Sequence, residues 1–239
     1  MKTLYLLLLA LGSATMAFGQ KMEYSGQLST GLSRFTGESA TRNTTLNVYQ
    51  SGPWEMEAFT MNPYGSRLHV GYGANVQAQY VTAGSFLLGA QLGYEVLRSR
   101  ANIERVYGHG AQLSSTYQSA DGKAVIIANN INLHPYMGWR ILKSAIDLDL
   151  TLGSDVTLNH QLKERSEATT EDGTDYKVKR EYGVLHTDFR PRVGLTGYKG
   201  HFGASLSYAH GLRNHRANYD GMNAKLYTQA IRLGLLYRL

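Results

Sequence analysis

The chain has 239 residues, with 26 Gly, 17 Tyr, 4 Pro and no Cys, and 18% of its residues are charged. The lack of Cys excludes a disulfide scaffold, thiolate-bound zinc or iron–sulfur sites and a lipid-bearing Cys. Charge is sparse against roughly 25% in a soluble domain. The formal balance of +6 is scattered among acidic residues with no long basic run, so no nucleic-acid partner is expected.

The N-terminus opens with Met1-Lys2-Thr3, continues as an apolar run from Leu4 to Leu11, and passes through small residues to Ala17-Phe18-Gly19. One positive charge, a short apolar core and a small-x-small site describe a secretory leader over residues 1–19. Residues 20–239 then form one exported domain. No later stretch approaches the ~18 apolar residues of a spanning helix, so a membrane role would need strands.

Eight segments alternate with period two. The first, about Met22 to Phe35, sets Tyr24, Gly26, Leu28, Thr30 and Leu32 against Glu23, Ser25, Gln27 and Ser29. The second sets Leu68, Val70, Tyr72, Val76 and Tyr80 against His69, Asn75, Gln77 and Gln79; the third sets Phe86, Leu88, Leu92 and Tyr94 against Gly89, Gln91 and Glu95. The fourth opposes Ile131, Leu133, Met137, Trp139 and Ile141 to Asn132, His134, Tyr136 and Arg140; the fifth opposes Leu148, Leu150 and Leu152 to Asp147, Asp149 and Asp155. The sixth pits Leu185, Phe189, Val193 and Leu195 against His186, Asp188, Arg190 and Arg192, and the seventh Phe202, Leu206 and Tyr208 against Gly203, Ser205 and Ser207. The eighth closes the chain with Tyr227, Ile231, Leu233, Leu235, Tyr237 and Leu239 against Ala230, Arg232, Gly234 and Arg238.

Tight turns at 82–85, 143–145 and 199–200 alternate with long polar stretches at about 36–66, 101–129, 159–183 and 213–226. This rhythm predicts an all-β, eight-stranded antiparallel up-and-down transmembrane β-barrel in the cell outer membrane, with short periplasmic turns and four long extracellular loops. The charged, Gly-rich face suits a narrow filled interior rather than a greasy ligand cavity. Arg140 is expected opposite Asp147 or Asp149 as an interior ion pair. Outward aromatics sort into two belts, with Tyr24, Tyr80, Phe86, Trp139, Phe202 and Tyr237 near the turns and Tyr72, Tyr94, Phe189, Tyr208 and Tyr227 near the loops. Pro135 and Pro191 fall inside strands, where a bulge or local break is expected at each.

The stretch Tyr208-Ala209-His210-Gly211-Leu212-Arg213-Asn214 resembles the PorT-like outer-membrane β-barrel family, which often carries Tyr-x-x-Gly-Leu-x-Asn at this place. Asn62-Pro63-Tyr64-Gly65 and the closing Ile231 to Leu239 are similar to that family too. The resemblance implies an eight-stranded outer-membrane barrel; the name-giving member's link to type IX secretion is not carried over. The terminal residue is Leu239 where an aromatic is usual.

The chemistry is thin. His134, His186 and Asp188 share the polar face with Ser205 and Ser207, and His210 and His215 flank a loop. No Gly-x-Ser-x-Gly, His-Glu-x-x-His or phosphate loop is present. The expectation is no catalytic, cofactor-binding or metal-binding residue, with these side chains as interior hydrogen-bonding groups. Three readings of function remain: a structural or secretion-associated barrel acting through partners, an adhesin or ligand-binding barrel using its loops, and a lipid acyltransferase or hydrolase with a lumenal His/Asp/Ser site. Expected partners are outer-membrane lipid and lipopolysaccharide, envelope or secretion proteins, and barrel-assembly machinery through the C-terminal strand. In the loops, Pro53-Trp54 through Phe59 is apolar enough to pack, and Lys163, Arg165, Lys177, Lys179 and Arg180 could meet lipopolysaccharide phosphates.

Overall fold

The computed structural model describes residues 21–50, 55–109, 116–185, 187–217 and 224–239. The leader, Pro53-Trp54 and His186 lie outside the described residues. The rest is strand and turn, with no helix among the described residues. Eleven strands follow one another: β1 (Lys21–Thr36), β2 (Asn43–Gln50), β3 (Met56–Thr60), β4 (Arg67–Val81), β5 (Phe86–His109), β6 (Tyr117–Lys143), β7 (Asp147–Thr170), β8 (Asp175–Tyr182), β9 (Asp188–Lys199), β10 (Phe202–His210) and β11 (Tyr227–Arg238).

Antiparallel ladders join β1 to β4, β4 to β5, β5 to β6, β6 to β7, β7 to β9, β9 to β10 and β10 to β11. β11 returns to β1 from Ser25–Arg238 to Thr36–Tyr227, which closes the sheet on itself. These strands coincide with the expected alternating segments. Their outer face carries exposed apolar side chains, among them Leu28, Val76, Leu152, Phe202 and Leu235, while Glu23, Gln79, Asp149, Asp155, Arg190 and Arg232 are buried inside. Interior glycines make room for interior rings: a Cβ on Gly89 would strike the ring of Tyr136, and one on Gly203 the ring of Tyr198.

The strand count corrects the expectation of eight strands with four loops. The stretches read as loops are largely strands. β5 and β6 run on past the ring as one long hairpin, β7 and β8 form another, and β2 and β3 occupy the first loop. Where β4 stops pairing with β5 at Arg100, β2 takes its place in parallel from Asn102 onward. Where β9 stops pairing with β7 at Thr157, β8 takes over from Leu162. The result is an upper sheet ordered β3-β2-β5-β6-β7-β8. It curls around Leu46, Val48, Ile103, Val106, Ala124, Ala168 and Val178, and a hydrogen bond of 3.0 Å from Thr60 to Ser166 ties its two sides together.

Facing is constant along β6, but its chemistry reverses. In the lower part, His134, Tyr136 and Arg140 point in, and Ile131, Leu133, Met137 and Trp139 point out. Above them Ala124, Ile126 and Ala128 are buried inside while Lys123 is turned outward. β7 makes the same change through a bulge: Asn159 and Gln161 pair with successive residues of β6, so His160 is the extra residue and the inward parity switches from odd to even. Of the bulge or local break expected at each proline, Pro135 shows a local break without a bulge, and Pro191 keeps its register, which corrects the expectation there. Pro135 leaves a gap in the β6–β7 ladder between Leu133 and Tyr136, and the register resumes unchanged. Pro191 pairs in register with Ser154, one residue beyond the end of the β9–β10 ladder. A proline removes one donor, and a strand can lose one bond without shifting.

Candidate functional site

Two ionic layers fill the ring. Near the tight turns, Arg140 reaches Asp149 at 2.7 Å, Glu23 at 2.8 Å and Asp147 at 3.3 Å. Arg140 and Asp149 are direct cross-strand partners because a bulge at Ile141 shifts the register set at the turn by Lys143–Asp147 and Leu142–Leu148. Arg238 bridges Asp147 at 3.0 Å and Glu23 at 3.3 Å. Gln79 donates to Asp149 at 3.0 Å and accepts from the Tyr136 hydroxyl at 2.8 Å. Higher up, Glu95 receives Arg190 and Arg232, each at 2.7 Å. Asp155 meets Arg232 at 3.0 Å and Arg192 at 3.4 Å, and Asp188 meets Arg190 at 2.9 Å. Five arginines thus face six carboxylates, and all but Arg192 span two or more acids. Such a network keeps charges buried without leaving any one uncompensated.

Among the described residues, those raised as catalytic candidates do not assemble a reactive group, and His186 lies outside them. His134 contacts Asp155 at 3.0 Å and stacks on Tyr136. The Ser205 hydroxyl is taken by Gln27 at 2.7 Å, and Ser207 has no hydrogen-bond partner. Neither serine bonds to His134, whereas a serine nucleophile needs its base within hydrogen-bond reach. His215 lies 3.4 Å from Asp188, and His210 contacts Gln229. No group of three metal-ligating side chains occurs among the described residues. Space is also short. The cavity beside His134, Ser205 and Ser207 is about 10 Å³, and the one between Asn75, Glu95 and Arg192 about 20 Å³. Each is the size of a water site.

An apolar layer lies over the ionic ones. Phe35, Ile126, Ala128, Leu162 and Leu226 form its buried part, with Tyr64, Leu97, Tyr182 and Leu185 packed on them. Tyr64 belongs to the Asn62-Pro63-Tyr64-Gly65 turn. The Asn62 carboxamide accepts from the Tyr64 N–H and donates to the Ser39 carbonyl, and Tyr64 meets Phe35 edge-on. The Arg216 guanidinium sits 4.7 Å from the Tyr64 ring. Opposite, Asn214 ties its loop together by donating to Ala224 at 2.7 Å and accepting from Arg216 and Leu226. Glu164 is buried at this level with two hydroxyl donors, Ser166 at 2.6 Å and Tyr182. Burial, then the hydrogen bond to Glu164, pushes the Tyr182 phenol well above its ordinary range.

A larger space lies elsewhere. A cleft of about 410 Å³ lies on the outer face of the upper sheet, bordered by Arg98, Lys123, Arg165, Lys177 and Lys179 over Val125 and Ile127. Lys123 pairs with Glu167 at 2.8 Å and holds that carboxyl below its usual value. Sequence reading singled out Arg165, Lys177 and Lys179 as loop charges. It missed Arg98 and Lys123, because nothing in the sequence showed that β5, β6, β7 and β8 stand side by side here.

No family model matches the chain, and no curated protein matches it. Among solved structures, the attachment invasion locus protein Ail of Yersinia pestis is similar at 13% identity and a TM-score of 0.36, over 92% of this chain and 99% of that one. Neisserial surface protein A is similar at 10% identity and a TM-score of 0.32, over 90% and 96%. The translocator domain of autotransporter NalP from Neisseria meningitidis is similar at 12% identity and a TM-score of 0.26, over 100% and 95%.

Proposed function

We propose that the chain is an integral outer-membrane protein. Its closed ring is an eight-stranded antiparallel up-and-down transmembrane barrel with periplasmic turns, and its upper sheet stands outside the cell. It is non-enzymatic and acts as a structural or secretion-associated envelope component through its exposed surfaces. The observation that carries this reading is the reversal of chemistry along β6 and β7. The ring buries charge and exposes Leu, Val, Phe and Trp, as hydrocarbon demands. The upper sheet buries Leu, Ile and Val and exposes charge, as water demands. One solvent cannot favour both halves. Height agrees: Tyr227 to Tyr237 is ten residues, about 33 Å along the strand or ~24 Å along the normal at a ~45° tilt, close to the ~25 Å apolar band of such barrels.

The packed interior and the apolar layer support a barrel without a diffusion channel. The lack of a bond from Ser205 or Ser207 to His134 and the water-sized cavity beside them, both among the described residues, support a non-enzymatic role. The proposed kinship with the PorT-like family rests on Tyr208, Gly211, Leu212 and Asn214. Export through the leader over residues 1–19 and assembly through β11 belong to the same reading. β11 carries the last outward apolar row, and its end is pinned by a hydrogen bond of 2.9 Å from the Leu239 N–H to the Tyr24 carbonyl.

The test is fractionation with heat-modifiable gel mobility, combined with protease treatment of intact cells after a cleavage site is placed at the β7–β8 tip (171–174). Outer-membrane recovery, a heat-shifted band and cleavage from outside are expected. Recovery in the soluble fraction refutes the barrel; cleavage only after lysis inverts its orientation.

A further inference from the structure

We propose that the outward face of the upper sheet binds the phosphorylated headgroups of glycolipid in the outer leaflet. The inference rests on the barrel reading above, which sets the height and orientation of this face. Register places the cations in rows across adjacent strands. Lys123, Glu167 and Lys177 form one row, Arg100, Val125, Arg165 and Lys179 the next, and Arg98, Ile127, Lys163 and Glu181 the third. Within these rows seven cations meet two carboxylates, and the row above them adds Asp121 and Asp175. Among the described residues only Lys123 is ion-paired there, and the Arg98 Nε is buried without a hydrogen-bond partner. A surface of unneutralised guanidinium and ammonium groups awaits an anion with several acceptor oxygens, and phosphate fits both.

Position selects a lipid rather than a soluble polyanion. The face looks sideways, not up. Lys123, Val125 and Ile127 lie on the same side of β6 as the hydrocarbon-facing Ile131, Leu133 and Met137, with Asn129 between. Val125 is only 8% exposed although it points outward, because it lies in the middle of a cationic row. Arg98 is four residues above Tyr94 of the upper belt, about 13 Å along the strand and about 9 Å along the normal. That is just above the headgroup zone, some 5–8 Å deep on each side of the hydrocarbon core, within reach of long basic side chains, and the other two rows stand about 5 and about 9 Å higher. A lipid whose chains lie against Ile131 and Leu133 brings its phosphates to this cleft. On the other side of the ring β1, β9, β10 and β11 stop near the rim, so among the described residues the tall strand wall with its cationic rows stands on one side.

The experiment uses the full chain in detergent, titrated with diphosphoryl lipid A, with enzymatically dephosphorylated lipid A and with a soluble sulfated oligosaccharide. Diphosphoryl lipid A is expected to bind with salt-sensitive affinity, and dephosphorylated lipid A to bind far more weakly. Arg165→Gln/Lys177→Gln/Lys179→Gln should weaken the phosphorylated form by on the order of a hundredfold. Lys143→Gln/Lys199→Gln at the turn end should leave it unchanged. Equal binding of both lipids, or no loss in the folded triple variant, overturns the proposal. Tighter binding of the sulfated oligosaccharide also overturns it and assigns the face to a soluble polyanion. Heat-modifiable mobility and insertion into phosphatidylcholine vesicles are read on every variant. Retained insertion without lipid A binding sinks this inference alone, whereas failed insertion of the unmodified chain sinks the barrel reading.

Discussion

Leu206→Arg separates a membrane-facing surface from a water-facing one. Leu206 is half exposed on β10 and pairs with Leu195 and Leu233, both outward and apolar. It sits four residues above Phe202 of the lower belt, and its partner Leu233 lies six residues from Tyr227 of the upper belt, which puts the site near mid-membrane. An arginine on a barrel's lipid face at that depth costs about 2–4 kcal/mol. The same change on a water-exposed strand costs within about 0.5 kcal/mol. The assay is urea unfolding of protein folded into short-chain phosphatidylcholine vesicles, read by tryptophan fluorescence and heat-modifiable mobility. Ser205→Arg is not a mild inward control: Ser205 faces Gln27 and a cavity of about 10 Å³, so an arginine there overfills the interior. Ser205→Ala is the proper control, with a loss of about 1 kcal/mol for one hydrogen bond. A Leu206→Arg cost no larger than that control means that the outward face does not meet lipid.

Arg232→Met should cost about 3 kcal/mol in the same assay, the lower end for a broken buried ion pair, because Glu95 keeps Arg190 and Asp155 keeps Arg192 and His134. Deleting Tyr237 to Leu239 should abolish the heat-shifted band, since it removes the Phe202–Tyr237 and Gly26–Tyr237 pairings and the Leu239–Tyr24 bond; shortening the hairpin tip around 169–173 should preserve it. Planar-bilayer recordings of the purified protein should show no stable conductance steps, given the ionic layers and the apolar layer above them. Tyr182→Phe should destabilise the upper sheet by about 1–3 kcal/mol, because the Glu164 carboxylate loses a buried donor. The raised phenol also sets a sign: its contribution is complete below the ordinary tyrosine value near 10 and is lost as pH rises toward the folded value. Titration by phenolate absorbance should therefore show one late-ionising tyrosine fewer in Tyr182→Phe than in the native chain.

Legibility in the sequence tracked how much of the solvent logic was assumed. The ring strands were readable because an apolar outside and a narrow polar interior impose strict alternation, and the three-residue connection at 144–146 brought Arg140 within reach of Asp147 and Asp149, whereas the bulge at Ile141 that pairs it with Asp149 left no mark in the sequence. The upper strands alternate just as strictly. Ala124, Ile126 and Ala128 on β6 and Leu162, Ala168 and Val178 on β7 and β8 keep an apolar side, but it faces inward and its outer neighbours are lysine, arginine and glutamate. Composition therefore read them as polar loops, and the small core residues Ala124 and Ala168 gave no contrary signal. The extra residue at His160 hid β7 further, since a single-residue bulge breaks any fixed period-two pattern across it. The candidate interface could not be found one strand at a time. Lys123 lies more than forty residues from Arg165 in sequence and two registered rows bring them together, so the face exists only once β8 has replaced β9 beside β7 and the two hairpins stand as one wall.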